Sequence, residues 1–138
     1  MDAQRTLRRQ ISCVGIGLHS GNRVNLRLRP APADSGICFR RIDLGHYEVP
    51  ATVHNLAGIQ LATGLARNEV SVETVEHLLA ALVSVGVDNV VVELNSPEVP
   101  IMDGSAAPFV YLIQEAGVKR LQAPRKYLKI IRDRKSVV

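Results

Sequence analysis

Thr74-Val75-Glu76-His77-Leu78-Leu79-Ala80-Ala81-Leu82-Val83-Ser84-Val85-Gly86 is the stretch that decides the fold. Val75, Leu78, Leu79, Leu82 and Val83 fall at i, i+3, i+4, i+7 and i+8, the stripe of an amphipathic helix. Thr74 is its expected N-cap and Gly86 its expected stop. Asn89 to Leu94, with a run of valines, then reads as a strand buried on both faces or nearly so. A helix followed at once by such a strand calls for a sheet with helices layered against it.

Upstream, Arg5 to Val14 and Arg23 to Pro30 read as strands around the turn Gly15-Ile16-Gly17-Leu18-His19-Ser20-Gly21. In the second, Val24, Leu26 and Leu28 alternate with Asn25, Arg27 and Arg29, so the arginines face water. Pro30 to Gly36 turns the chain, and Ile37 to Arg41 returns as a third strand. Weaker extended pieces follow at Tyr47 to Val53 and Leu61 to Arg67. Downstream, a loop through Pro97, Pro100, Asp103 and Gly104 enters a second helix, with Ser105 as cap and Pro108 in its first turn. Phe109, Leu112, Ile113 and Ala116 form its inner face and Gly117 ends it; Lys126 to Ile131 reads as one more strand. The order predicts an α+β two-layer sandwich, a mixed or antiparallel sheet with two helices on one face.

The chain of 138 residues has room for one ordinary domain, or is part of a larger protein. With 46% apolar and 22% charged residues it is composed as a folded protein, not a disordered one. No apolar run approaches the roughly 18 residues of a membrane helix, which points to a cytosolic, cytoplasmic protein. Cys13 and Cys38 lack CxxC spacing and are expected as reduced packing residues. A net charge of +4 suggests an anionic partner without choosing among nucleic acid, acidic lipid or a phosphorylated small molecule.

At about 100° per residue, His77 lies about 200° from Val75, away from the domain's own core. Ala80, Ala81 and Ser84 share that outer face, with Glu76 at its edge. Solvated helix faces usually carry Lys, Glu, Gln and Arg, so a small, nearly uncharged face predicts another packed layer over it. Glu76 beside His77 is then a candidate pair, carboxylate as general base toward water and imidazole as metal ligand. The helix dipole alone also favours a Glu in the first turn, and a single His on a helix is commonly a surface residue. The HExxH zinc motif is absent, and His19, His46 and His54 are scattered over loops and strands.

Gly15-x-Gly17-x-x-Ser20-Gly21 is no dinucleotide loop, because a strand follows where a helix is required. Arg23, Arg27 and Arg29 make a basic strand face, yet aromatic residues are only 4% of the chain, so stacking platforms for nucleic acid are scarce. Asp103-Gly104-Ser105 reads chiefly as a turn and cap, although an Asp there can orient a neighbouring site.

Gln4-Arg5-Thr6-Leu7, Gly15 to Gly21, Leu28-Arg29-Pro30-Ala31-Pro32-Ala33, Thr74-Val75-Glu76-His77-Leu78-Leu79-Ala80-Ala81, Asp88-Asn89 and Pro100-Ile101-Met102-Asp103-Gly104-Ser105-Ala106-Ala107-Pro108-Phe109 resemble, in order, the N-terminal domain of bacterial UDP-3-O-acyl-N-acetylglucosamine deacetylase. The resemblance implies a cytosolic zinc hydrolase of lipid A synthesis in Gram-negative bacteria, which removes an acetyl group from a UDP-linked, 3-O-acylated glucosamine. It implies two similar α+β domains whose helical layers face each other across the active site. Residue by residue, Glu76 matches the family's general base and His77 one zinc ligand. The other two zinc ligands, in a His-Lys-x-x-Asp motif, have no counterpart here. Residues 1–125 are thus expected to be the N-terminal domain, and 126–138 a strand leading toward a second domain absent from the chain. That domain is expected to cover the outer face of helix 74–85 and supply the remaining Zn2+ ligands. The 138 residues alone, apparently truncated, are expected to bind zinc weakly and to be inactive. The contrasting reading is a non-catalytic interaction module whose basic sheet face binds nucleic acid.

Overall fold

In the computed structural model, which describes residues 2–52, 56–57 and 64–125, the alternation of Arg23–Pro30 does what the pattern requires. Val24, Leu26 and Leu28 are buried, while Arg23, Asn25, Arg27 and Arg29 are exposed on the opposite face. This strand, β3, lies inside a five-stranded sheet with β2 (Ile11–Ile16), β4 (Ile37–Arg41), β5 (Tyr47–Pro50) and β9 (Val90–Leu94). Its order is β2-β3-β9-β4-β5; β4 and β9 run parallel and the other neighbours antiparallel, so the sheet is mixed.

The helices α1 (Glu76–Val85) and α2 (Ala107–Ala116) bury Leu78, Ala81, Leu82, Phe109, Ile113 and Ala116 in one cluster with Leu26, Leu28, Phe39, Val49, Val90 and Val92. The α+β arrangement, with both helices against one sheet face, is the one expected. Two smaller sheets complete it. β1 (Ala3–Leu7) pairs antiparallel with β10 (Val118–Pro124), and β6 (Leu56–Ala57), β7 (Gly64–Arg67) and β8 (Val70–Glu73) form a meander. β7 and β8 are joined by Asn68 and Glu69, both at positive φ (50° and 69°), as a two-residue primed hairpin turn demands.

Several local expectations are corrected. Arg5 to Val14 is two strands, because the chain leaves β1 at Arg8, whose amide donates to Gly117 O (2.9 Å), and starts β2 only at Ile11. Ile16, expected in the turn, still belongs to β2 because it pairs with Arg23. Thr74 does not cap α1. It sits at φ 60°, outside the extended backbone a capping side chain needs, and the N-cap position falls to Val75 with no side-chain hydrogen bond. Ser105 is likewise one residue early, the N-cap position being Ala106, although its hydroxyl accepts from Ala107 N (3.3 Å). β8, which alternates over only four residues, and β10, which does not alternate, were not expected from sequence. The expected strand Lys126 to Ile131, the segment 126–138, His54 and Leu61 to Thr63 lie outside the described residues.

The buried arc of α1 is also rotated from the expected one. Ala81 is fully buried and Val83 is 73% exposed, the reverse of the reading. α1 packs beside α2, and Ala81 lies in the core cluster that both helices share. The face left open carries Ala80, Val83 and Ser84.

Candidate active site

β8 delivers the chain to α1 through a sharp reversal. Thr74, buried and in the left-handed region, and Val75, fully buried, fix where the helix starts. That places Glu76 in the first turn, where the helix dipole favours a carboxylate, with His77 next to it. Neither enters the apolar core. Both are half-buried at the helix N-terminal end. Glu76 Oε1 is shut off from solvent and has no hydrogen-bond partner among the described residues. A buried carboxylate oxygen left unpaired costs about 1–3 kcal/mol or more, so folding alone does not account for it.

The loop after β9 supports this end of the helix. Glu73 N donates to Pro97 O (2.7 Å) and Val99 N to Glu73 O (2.9 Å), while Ile101 N donates to Ile16 O (3.0 Å). Further along, Asp103 Oδ1 accepts from the Ser105 hydroxyl (2.7 Å) and amide (2.9 Å). Those two bonds, with a smaller contribution from the nearby His77 imidazole, hold the Asp103 carboxyl below its ordinary value. Asp103 is exposed and close enough to His77 for their charges to interact.

His19 is exposed in the Gly-rich turn, and His46 is exposed at φ 65° in another turn. Among the described residues no three His, Cys, Asp or Glu side chains gather as a metal-binding group. His77 therefore stands as one imidazole beside one carboxylate. The cavity of 590 Å³ lined by Val83, Gly86, Asp88 and Arg125 sits at the other end of α1, about 15 Å of helix away from Glu76. It is not part of this pair's surroundings.

Two carboxylates went unread in the sequence. Glu98, 3% exposed, accepts the amides of His19 (3.1 Å, Oε1) and Ser20 (2.9 Å, Oε2). Glu93, 5% exposed, lies on the outer sheet face among Arg27 (4.0 Å), Arg29 (3.3 Å) and Arg40 (3.2 Å). The sequence did hold a signal for Glu93, an acid inside a valine strand. Its effect is that the basic face is not a row of free cations. Cys13 and Cys38 are free thiols, half-buried, and burial pushes both up from their ordinary value.

Fold and pair together define the class: an α+β domain that presents an acid and an imidazole at the N-terminal end of a partly uncovered helix. The profile of LpxC, UDP-3-O-acyl N-acetylglycosamine deacetylase, matches residues 4–137, and the chain belongs to that family. It is 52% identical over 134 residues to the UDP-3-O-acyl-N-acetylglucosamine deacetylase of Pseudomonas entomophila (strain L48), covering 96% of this chain and 44% of the relative. The protein of the same name from Stenotrophomonas maltophilia (strain K279a) is 50% identical over 133 residues, with 96% and 44% covered. That of Idiomarina loihiensis is 53% identical over 132 residues, with 94% and 43% covered. The chain thus spans less than half the length of these curated relatives.

Proposed function

We propose that residues 1–125 form the N-terminal domain of a zinc-dependent amide hydrolase that removes the N-acetyl group from UDP-3-O-acyl-N-acetylglucosamine, a cytoplasmic step of lipid A biosynthesis. The observation that carries this reading is Glu76 Oε1, a buried acceptor without a partner, on the residue next to His77. The family and the names of its relatives supply the substrate. In this reading 126–138 leads toward a second domain, which lies on the open face of Ala80, Val83 and Ser84.

The donor set fits zinc in part: His77 offers one imidazole, and the remaining ligands of a catalytic site, usually three in all, come from outside these 138 residues. Bound there, zinc supplies Lewis-acid polarisation of the amide carbonyl. Glu76 takes a proton from the attacking water at Oε1 as the new carbon–oxygen bond forms. The carbon–nitrogen bond then breaks, the proton passes to the departing nitrogen, and the products are acetate and the free amine.

The test joins residues 1–125 to the remaining length of the Pseudomonas entomophila relative and follows acetate release from the named substrate. Turnover is expected, lost by about 100-fold or more with Glu76→Ala while bound zinc persists, and lost together with zinc affinity in His77→Ala. Unchanged turnover in Glu76→Ala removes the base assignment. The 138-residue chain alone is expected to show little zinc affinity and little or no turnover.

A further inference from the structure

We propose that Glu98 is a positioning residue for this site, whose carboxylate clamps the Gly17–Gly21 turn to the segment that sets the start of α1. The inference rests on the deacetylase reading only for the purpose the clamp serves, since the clamp itself is read from geometry.

Each link is a named contact. On one side, the two oxygens of Glu98 divide the amides of His19 and Ser20 between them, at 3.1 and 2.9 Å. Gly17 closes the same turn, its amide donating to Asn22 O and its carbonyl accepting from Gly21 N, both at 2.9 Å. On the other side, the backbone of Glu98 bridges in parallel to Glu73, flanked by the bonds Glu73 N to Pro97 O and Val99 N to Glu73 O. Glu73 is the last residue of β8, and the reversal at Thr74 and Val75 follows at once, so Glu98 stands between the turn bearing His19 and the helix end bearing Glu76 and His77.

The fit around the carboxylate is tight. A Cβ on Gly17 would fall 2.5 Å from Glu98 Oε2, so only glycine leaves room for the clamp. A charged group 3% exposed is costly unless its lone pairs are met, and here the His19 and Ser20 backbone donors meet them. The turn bearing His19 is thereby tied through Glu98 and Glu73 to the start of α1.

The test has a spectroscopic arm and a kinetic arm. In the 138-residue chain, Glu98→Gln is expected to remove the downfield position and exchange protection of the His19 and Ser20 amide protons. It is also expected to shift the Glu76 and His77 amides while leaving those of Arg120 in β10 in place. In Glu98→Ala, formate is expected to restore the His19 and Ser20 signals and formamide, its neutral counterpart, is not. Unmoved His19 and Ser20 amides in Glu98→Gln, or equal rescue by formate and formamide, overturns the clamp. In the two-domain protein, Glu98→Gln is expected to raise KM about tenfold, the scale of one lost charge-assisted bond, with kcat reduced less. Mere destabilisation would lower kcat through loss of active protein and leave KM alone. Turnover with an unchanged KM in Glu98→Gln sinks the positioning role while the deacetylase reading stands; NMR changes as expected without any wild-type turnover leave the clamp standing and sink that reading.

Discussion

The side-chain amide of Asn89 donates to Gln4 Oε1 over 3.0 Å inside the protein, where both residues are buried. Asn89 Oδ1 also accepts from Gly36 N (2.8 Å), and its carbonyl accepts from the Thr6 hydroxyl (2.7 Å), which in turn accepts from Ala31 N (2.9 Å). One residue at the start of β9 thereby ties β1 to the turn before β4. Asn89→Ala strands the Gly36 amide and takes one donor from Gln4, which keeps the Asp34 amide (2.8 Å). The expected loss is about 2–3 kcal/mol in urea unfolding, with an unchanged slope against denaturant. A loss below 0.5 kcal/mol in that titration contradicts this account.

Glu93 balances the outer sheet face. Arg27 and Arg29 keep 49% and 46% of their side chains exposed, so water re-solvates them when the carboxylate goes, whereas Arg40 is only 26% exposed. Glu93→Gln is therefore expected to cost about 1–2 kcal/mol at low salt, since three guanidinium groups then surround a neutral amide and only Arg40 keeps a second carboxylate, Glu48 at 2.9 Å. Added salt screens that repulsion, so the gap to wild type should narrow between 0.05 and about 0.5 M. A gap that does not respond to salt assigns the loss to packing instead.

How far these features were legible in the sequence depends on the range of the interaction. The alternation in β3 and the helical period of α1 are local, and each emerged where the pattern placed it. The rotation of α1 that buries Ala81 and exposes Val83 was not legible, because tertiary packing sets it and the helical period does not encode that. The pair Glu76 and His77 stood out by adjacency on an unusually bland helix face. Glu98 did not, because its partners His19 and Ser20 are nearly eighty residues away and nothing local to Glu98 points to them. Thr74 misled for a different reason: its residue type suits a cap, but its backbone at φ 60° does not.

Acid should act through Glu98. Burial, the largest single influence, pushes its carboxyl up, but the His19 and Ser20 amides, the Ser20 hydroxyl and the His19 imidazole together hold it below its ordinary 4.5. A carboxyl depressed by folding contributes stability that is complete above the unfolded value and is lost as pH falls through the folded one. Unfolding free energy is expected to drop from about pH 5 downward, and the drop to be shallower in Glu98→Gln. Equal slopes in the two proteins would show that other carboxylates govern the acid limb.

The glycines of the turn should separate space from backbone. Gly21 has φ 70° with nothing within 4 Å of an added Cβ, so Gly21→Ala meets only backbone strain, about 1 kcal/mol. Gly17→Ala instead drives a methyl to 2.5 Å from Glu98 Oε2 and 2.6 Å from Ser20 Oγ, with an expected cost of about 2–3 kcal/mol. In a Glu98→Ala background the Gly17→Ala cost should fall and the Gly21→Ala cost should not. Additive losses for the Gly17 and Glu98 changes would place the steric conflict elsewhere.

Glu76 should show the opposite sign from Asn89. Removing its side chain forfeits a favourable carboxylate at the start of α1, about 0.3–1 kcal/mol. It also releases an oxygen that is buried without a partner, a burden of about 1–3 kcal/mol. The second effect is the larger, so Glu76→Ala is expected to leave the chain as stable as before or raise its unfolding free energy by about 1 kcal/mol at neutral pH. Stability gained by deleting a residue, alongside turnover lost in the two-domain protein, is the pattern of a side chain held for chemistry at the expense of folding. A destabilisation above about 1 kcal/mol in Glu76→Ala would mean instead that the carboxylate serves the fold, and that its buried oxygen has found a donor in solution.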